Sequence, residues 1–251
     1  MRNFKLTIEY DGTDFRGWQI QNPRHRTVQG EIERVLKKIF KRKIRMIGSG
    51  RTDSGVHALG QVAHFKVHST MKTTQILKAM NSLLPKDIAI LKVEEVSSQF
   101  HSKYSVRRKI YRYTILNRPI RSVFQKNFCL YFPYQLNLRL MRNEAKSLMG
   151  RKNFRSFMAN STSQKQSSQR KDTIRRIFKV DIKRSKDFLF VEIEGDGFLY
   201  KMVRNIVGTL LKIGTGKLPQ GSIKRILEEK NRKLVGPPSP ARGLCLLKTT
   251  Y

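Results

Sequence analysis

Apolar and polar residues alternate from the start of the chain. Phe4, Leu6, Ile8 and Tyr10 are separated by polar neighbours, the two-residue repeat of a half-buried strand and not the apolar run of a signal peptide. The period then lengthens: Val28, Ile32, Val35, Leu36, Ile39 and Phe40 recur at helical spacing behind Thr27, a residue type suited to cap a helix N-terminus. Between these elements DGTDFRGWQIQNPRHR mixes turn residues, an aromatic ring and arginines, and reads as a long surface loop. KIRMIG is a short strand that leads into the glycine-flanked stretch GSGRTDSGVHALGQ, and QVAHFKVH, with Ala63, Phe65 and Val67 on one face, is the strand after it. A helix over residues 73–83 and a strand over 88–96 complete a first half of strands with helices packed on one face.

The second half begins near Tyr104 with a long basic strand, YSVRRKIYRYTILN. Tyr111 and Tyr113 alternate on it, and one is expected to pack in the core while the other faces the cleft. A helix over 138–149, strands over 174–183 and 188–194, and a helix marked by Met202, Ile206, Leu210 and Ile213 follow. A further helix spans 222–230, and LCLLK closes the chain as a strand. The segment 158–171, MANSTSQKQSSQRK, has no apolar period and is expected to be a mobile loop, with Lys165, Arg170 and Lys171 solvated. The two halves, 1–103 and 104–251, share one vocabulary of strands and helices, the layout of two α/β layers with a cleft where they meet.

Charge changes this picture more than composition does. Lys and Arg number 52 against 18 Asp and Glu, a formal net charge of +34, and the cations recur along all 251 residues. Self-repulsion on that scale opposes the compact state, so a polyanion, nucleic acid foremost, is the economical partner; a basic surface that serves only solubility is the alternative. A hydrophobic fraction of 39% excludes a wholly disordered chain. Cys129 and Cys245 lie far apart and form no CxxC pair, so neither a disulfide framework nor a zinc site is indicated, and a reducing cytoplasm fits. No apolar run approaches the ~20 residues that span a bilayer.

Few residues are placed to do chemistry. No P-loop, no GxGxxG after a strand, no HExxH and no GxSxG occurs. What remains is Asp53, His57, Tyr111 and Arg204. His57 and His64 have no partner at metal-ligand spacing and are read as loop and strand residues. Asp53, alone in a glycine-flanked loop, is a turn residue that hydrogen-bonds its own backbone. In a protein built to hold phosphates, however, a carboxylate facing the groove opposes binding, so Asp53 argues for chemistry.

Five blocks carry a resemblance: YDGTDFRGWQIQ, GRTDSGVHALGQVAHF, RRKIYRYTILN, GFLYKMVRNIVGTLLKIG and SPARGLCLL. In this order, over nearly the whole chain, they resemble the TruA-type tRNA pseudouridine synthases. The resemblance implies a cofactor-free enzyme that isomerises uridine to pseudouridine at positions 38, 39 and 40 of the tRNA anticodon stem-loop. It implies an α+β pseudouridine synthase fold: two α/β domains with mainly antiparallel sheets, helices on one face, and the catalytic cleft between them. It also implies a cytoplasmic homodimer with tRNA as partner.

Carried over by position, the family's catalytic Asp falls on Asp53, its base-stacking Tyr on Tyr111 and its active-site Arg on Arg204. Arg51 falls on the Arg that helps hold the target nucleotide outside the stem. The residues alone do not choose between Tyr111 and Tyr113. The isomerisation breaks the glycosidic bond, rotates the base and remakes the bond from carbon 5. A carboxylate that attacks or stabilises the anomeric carbon, or adds to the uracil ring, serves the first step. Arg204 is suited to pair with that carboxylate bidentately. Arg16, Arg24 and Arg26 in the first loop are candidates for RNA backbone contact. Two other readings stay open: a pseudouridine synthase of relaxed specificity on other RNAs, and a non-catalytic RNA-binding protein.

Overall fold

The computed structural model describes residues 1–22, 24–159 and 172–251. Most of the polar segment expected to form a loop, with Lys165, Arg170 and Lys171, lies outside the described residues. The chain divides into two compact units, Met1–Arg107 with Cys245–Tyr251, and Arg108–Leu244.

In the first unit β1 (Arg2–Tyr10), α1 (Val28–Phe40), β2 (Ile47–Gly48), β3 (His57–Val67), α2 (Thr73–Leu83) and β4 (Ile88–Val96) follow in order, and the closing strand β10 (Leu244–Thr250) joins them. The sheet runs β4-β1-β3-β10, with β2 beside β3. All of these pairings are antiparallel except β10 on β3, where Cys245 lies opposite His57 and Leu246 opposite Ala58. The alternation seen in the sequence sends Phe4, Leu6 and Ile8 into the core. The Phe65 ring lies 5.6 Å from that of Phe4 and 6.0 Å from that of Phe40, which fixes α1 on this face. Thr27 caps α1 as its position implies, accepting the Gly30 N–H at 3.3 Å.

Two features depart from the sequence reading. A division at residue 103 leaves the last strand in the second half, but β10 is parallel to β3 and Arg107 N–H donates to Thr250 O at 2.9 Å. Parallel pairing joins strands distant in sequence, so no local pattern reveals it. KIRMIG shrinks to the two residues of β2 because α1 takes its backbone groups: Met46 N–H donates to Glu33 Oε1 at 2.9 Å, and Gln29 Nε2 donates to Met46 O at 3.1 Å. The burial alternation survives, with Ile44 and Met46 inside and Lys43 and Arg45 outside.

The second unit holds β5 (Arg108–Leu116), β6 (Leu130–Tyr131), α3 (Leu138–Lys146), β7 (Gly150–Asn153), β8 (Ile174–Ser185), β9 (Phe188–Gly195), α4 (Met202–Gly214) and α5 (Ser222–Glu229). Its sheet runs β5-β9-β8-β7, antiparallel throughout, with β6 parallel to β5. Helix α4 is apolar nearly all round, as a helix inside a core must be. Glu144 of α3 is buried, and its carboxylate accepts the Gly221 and Ile223 N–H groups at 2.6 and 3.1 Å, capping α5. Both units thus have mainly antiparallel sheets with helices beside them, an α+β arrangement. Among the described residues no helix is long and apolar enough to cross a membrane. Cys129 is buried and Cys245 half-buried.

Candidate functional site

Asp53 stands in the loop that joins β2 to β3, and buried polar groups hold that loop from below. The Gln61 side chain, fully buried on β3, accepts from Ser49 Oγ at 2.6 Å and donates to Gly50 O at 3.0 Å. This secures the chain one residue before Arg51. Thr52 is buried, and its hydroxyl meets the Tyr10 hydroxyl at 2.8 Å. Burial pushes the Tyr10 hydroxyl far above the usual phenol range, so it serves Thr52 as a neutral partner. With Thr52 turned inward, Arg51 is exposed and Asp53 half-buried, and a tight turn follows in which Val56 N–H donates to Asp53 O at 3.2 Å.

The first loop of the chain packs against this one. Trp18 N–H donates to Thr52 O at 3.1 Å, and both Gly55 N–H and Ser54 Oγ donate to Phe15 O, at 3.4 and 3.0 Å. Two close approaches require glycine. Gly17 has φ +86°, and a Cβ there would sit 2.6 Å from Thr52 O; a Cβ on Gly48 would sit 2.5 Å from the Trp18 indole nitrogen. His57, at the start of β3, accepts the Gly12 N–H at Nδ1 at 3.0 Å. Asp11 Oδ1 lies 3.1 Å from the same nitrogen but already accepts from Thr13 N–H and Oγ1, at 2.9 and 2.6 Å. His57 is thus part of the scaffold, as the sequence reading has it.

Among the arginines of the first loop, Arg16 and Arg24 are exposed. Arg26 is instead tied within the unit: its guanidinium is bidentate to Asp87 at 2.6 and 2.9 Å and lies 4.2 Å from the centre of the Phe15 ring. This is a loop brace, a role no local sequence pattern distinguishes from RNA contact.

Tyr111 and Arg204 belong to the second unit. Tyr111 and Tyr113 do not point to opposite sides, one to the core and one to a cleft, because residues two apart on a strand share a face. Both are buried, Tyr113 wholly and Tyr111 at 8% exposure. Tyr113 is anchored, its hydroxyl donating to Pro240 O at 2.8 Å, and burial raises its pKa far above the phenol range. Tyr111 lies edge-on to Phe198, with ring centres 5.2 Å apart. Arg204, half-buried in the first turn of α4, donates from Nε to Ser239 O at 2.7 Å and accepts Ser239 N–H at its own carbonyl at 3.1 Å. The next residue, Asn205, is fully buried; it donates to Phe157 O at 2.7 Å and accepts from Arg232 at 3.1 Å.

Arg51 and Asp53 therefore share one loop of the first unit, while Tyr111 on β5 and Arg204 on α4 lie in the second. The supporting residues Tyr10, Gly17, Trp18, Gln61 and Ser239 escaped the sequence reading. For Gln61 the signal was a polar side chain between Gly60 and Val62 in the middle of a strand.

Residues 6–105 and 145–251 match a family model described as tRNA pseudouridine synthase. Arg51, Asp53 and Arg204 fall inside the matched stretches and Tyr111 between them. The chain is 40% identical over 251 residues to tRNA pseudouridine synthase A of Thermoanaerobacter sp. (strain X514), covering the whole of both chains. It is 42% identical over 252 residues to tRNA pseudouridine synthase A 1 of Bacillus cereus, covering all of this chain and 99% of that one. Among solved structures, the archaeal box H/ACA sRNP Nop10-Cbf5 complex has a TM-score of 0.32 at 11% identity, over 82% of this chain and 53% of that one, too slight a likeness to carry an argument. With a family model spanning most of its length and relatives matched from end to end, the chain belongs to the tRNA pseudouridine synthase family of isomerases.

Proposed function

We propose that this enzyme isomerises uridine to pseudouridine at positions 38, 39 and 40 of the tRNA anticodon stem-loop, with Asp53 as nucleophile. The observation that supports Asp53 most is its setting. It is a half-exposed carboxylate on a loop braced by Tyr10, Trp18 and Gln61, in a chain with 52 cations against 18 anions. A residue that only closed a turn would need no such bracing.

In this reading the target nucleotide is first extruded from the stem, at a cost of a few kcal/mol. Arg51, exposed two residues before Asp53, holds the displaced backbone through phosphate hydrogen bonds. Asp53 attacks the anomeric carbon or the uracil ring, and the glycosidic bond breaks. The base rotates while stacked on Tyr111, a contact worth ~1–3 kcal/mol per base, and carbon 5 bonds to the anomeric carbon as Asp53 is released, the carbon-5 proton leaving and N1 gaining one proton. Arg204 supplies a cation and a planar fork of donors to the reacting groups. No cofactor enters this scheme. The working unit is a cytoplasmic homodimer.

The test is to incubate the protein with unmodified tRNA and map pseudouridine at single-nucleotide resolution. Conversion confined to positions 38, 39 and 40 supports the reading. Conversion spread over other stems indicates a synthase of relaxed specificity, and binding without conversion indicates a protein that only holds RNA.

A further inference from the structure

A groove of about 450 Å³ lies wholly within the first unit, along the outer side of β3 and the segment before β2. Arg42, Lys43, Arg45 and Lys66 line it, together with His64 and His101, and no acidic residue does. The stretch from Lys37 to Arg45, KKIFKRKIR, has six cations and no anion. Lys37, Lys38 and Lys41 sit at the C-terminal end of α1, where the helix dipole favours cations. That account does not extend to Arg42, Lys43 and Arg45, which lie beyond the helix.

The segment is held in one shape. Ile44 and Met46 are buried, and Met46 is tied to α1 through Glu33 and Gln29, so Lys43 and Arg45 project outward at a two-residue repeat. Some cations of this unit have acidic partners: Arg2 pairs with Glu95, Lys5 with Glu94 and Arg26 with Asp87. Arg42, Lys43 and Arg45 make no ion pair among the described residues, and Lys66 Nζ donates only to a carbonyl, Ser98 O, at 2.8 Å. Packing several unneutralised cations along a fixed groove is costly unless an anion fills it. His64 and His101 add polar groups to the same wall, with His101 Nδ1 taken by the Lys103 and Tyr104 N–H groups. An open wall of several cations, without a deep enclosed pocket, suits a chain of phosphates better than a single small anion.

We propose that this groove binds the sugar-phosphate backbone of tRNA at a distance from the target uridine, gripping the body of the tRNA and not its anticodon loop. The inference rests on the function proposed above. Lys66 lies nine residues along β3 from His57, roughly 30 Å at 3.3 Å per residue, while His57 closes the Asp53 loop. That is about nine steps of a duplex at 3.4 Å per step, beyond the nucleotides around one extruded base.

The test uses the double variant Lys43→Ala/Arg45→Ala, whose side chains are exposed, with thermal unfolding as a check on the fold. Affinity is measured across a salt series for full-length tRNA and for an anticodon stem-loop fragment. The expected result is about tenfold weaker binding of full-length tRNA at moderate salt and a log–log salt slope shallower by roughly 1–2, one phosphate contact per lost cation. Fragment affinity and the turnover rate at saturating tRNA stay at the parent values, and Lys43→Arg/Arg45→Lys restores full-length binding. An unchanged slope and affinity for full-length tRNA overturns the proposal, as does equal weakening on the fragment. Parent protein that binds tRNA but converts no uridine counts against the proposed reaction alone, since the binding arms are still read.

Discussion

Arg204 and Ser239 hold each other twice, through Arg204 Nε to Ser239 O at 2.7 Å and Ser239 N–H to Arg204 O at 3.1 Å. Arg204→Lys keeps the charge but loses both the Nε donor and the planar fork. The lost hydrogen bond costs about 1 kcal/mol, a fall in melting temperature of roughly 2–4 °C. If Arg204 acts on the reacting groups as proposed, turnover should drop at least about tenfold, with tRNA affinity within about threefold. Single-turnover rates beside a melting curve decide it; full activity would reduce Arg204 to a brace for the 235–240 segment.

Gly17→Ala tests whether the first loop sets the geometry of Asp53. At φ +86°, with Thr52 O 2.6 Å from the new Cβ, the substitution is strained and must push the Thr52–Asp53 peptide aside. The expected cost is about 1–3 kcal/mol of stability. Turnover should fall at least about tenfold while tRNA binding persists, because a shift of about 1 Å at a reacting group is enough for a large loss. A variant that melts lower but turns over normally would show that the loop tolerates displacement.

Glu144 tests the second unit's frame. Its buried carboxylate satisfies two N–H groups at the start of α5, so Glu144→Ala leaves both without their partner, at about 2–4 kcal/mol. Chemical denaturation should show this loss in full, and Glu144→Gln, which keeps one acceptor oxygen, should recover part of it.

His64 gives the fold a pH dependence. Burial, reinforced by the nearby His101 and Lys66 charges, lowers its pKa from 6.5 to about 4. Between those values the unfolded chain binds the proton and the folded chain does not, so stability falls as pH falls from about 6.5 towards 4. Above about 6.5 the term is constant. His64→Gln should flatten this part of the stability profile; an unchanged slope would assign it to other groups.

What the sequence shows of this fold depends on how local the cause is. Helix α1 is legible to the residue because its apolar spacing and the Thr27 cap lie within its own turns. Helix α2 and β4 are equally local, and their bounds agree with the periodicity. The KIRMIG strand is overread because its hydrogen bonds go to Glu33 and Gln29 on a helix and not to a strand. The parallel seat of β10 on β3 is a pairing across nearly the whole chain, and local periodicity has no access to it. In the candidate site, Asp53 and Arg51 stand out because charge in a glycine-rich loop is conspicuous. Tyr10, Gly17 and Gln61, which position them, look like ordinary strand and turn residues until the two loops are brought together.

The central claim is that Asp53 does the chemistry while other groups hold the RNA. Asp53→Asn keeps the shape of the side chain and removes the nucleophile. The direct measurement is single-turnover conversion of unmodified tRNA by this variant, read beside its tRNA affinity. The account predicts affinity within about threefold of the parent and no detectable pseudouridine, as the loss of a nucleophile demands. Conversion within about tenfold of the parent rate would contradict it, because catalysis by a covalent nucleophile does not survive its removal at that level.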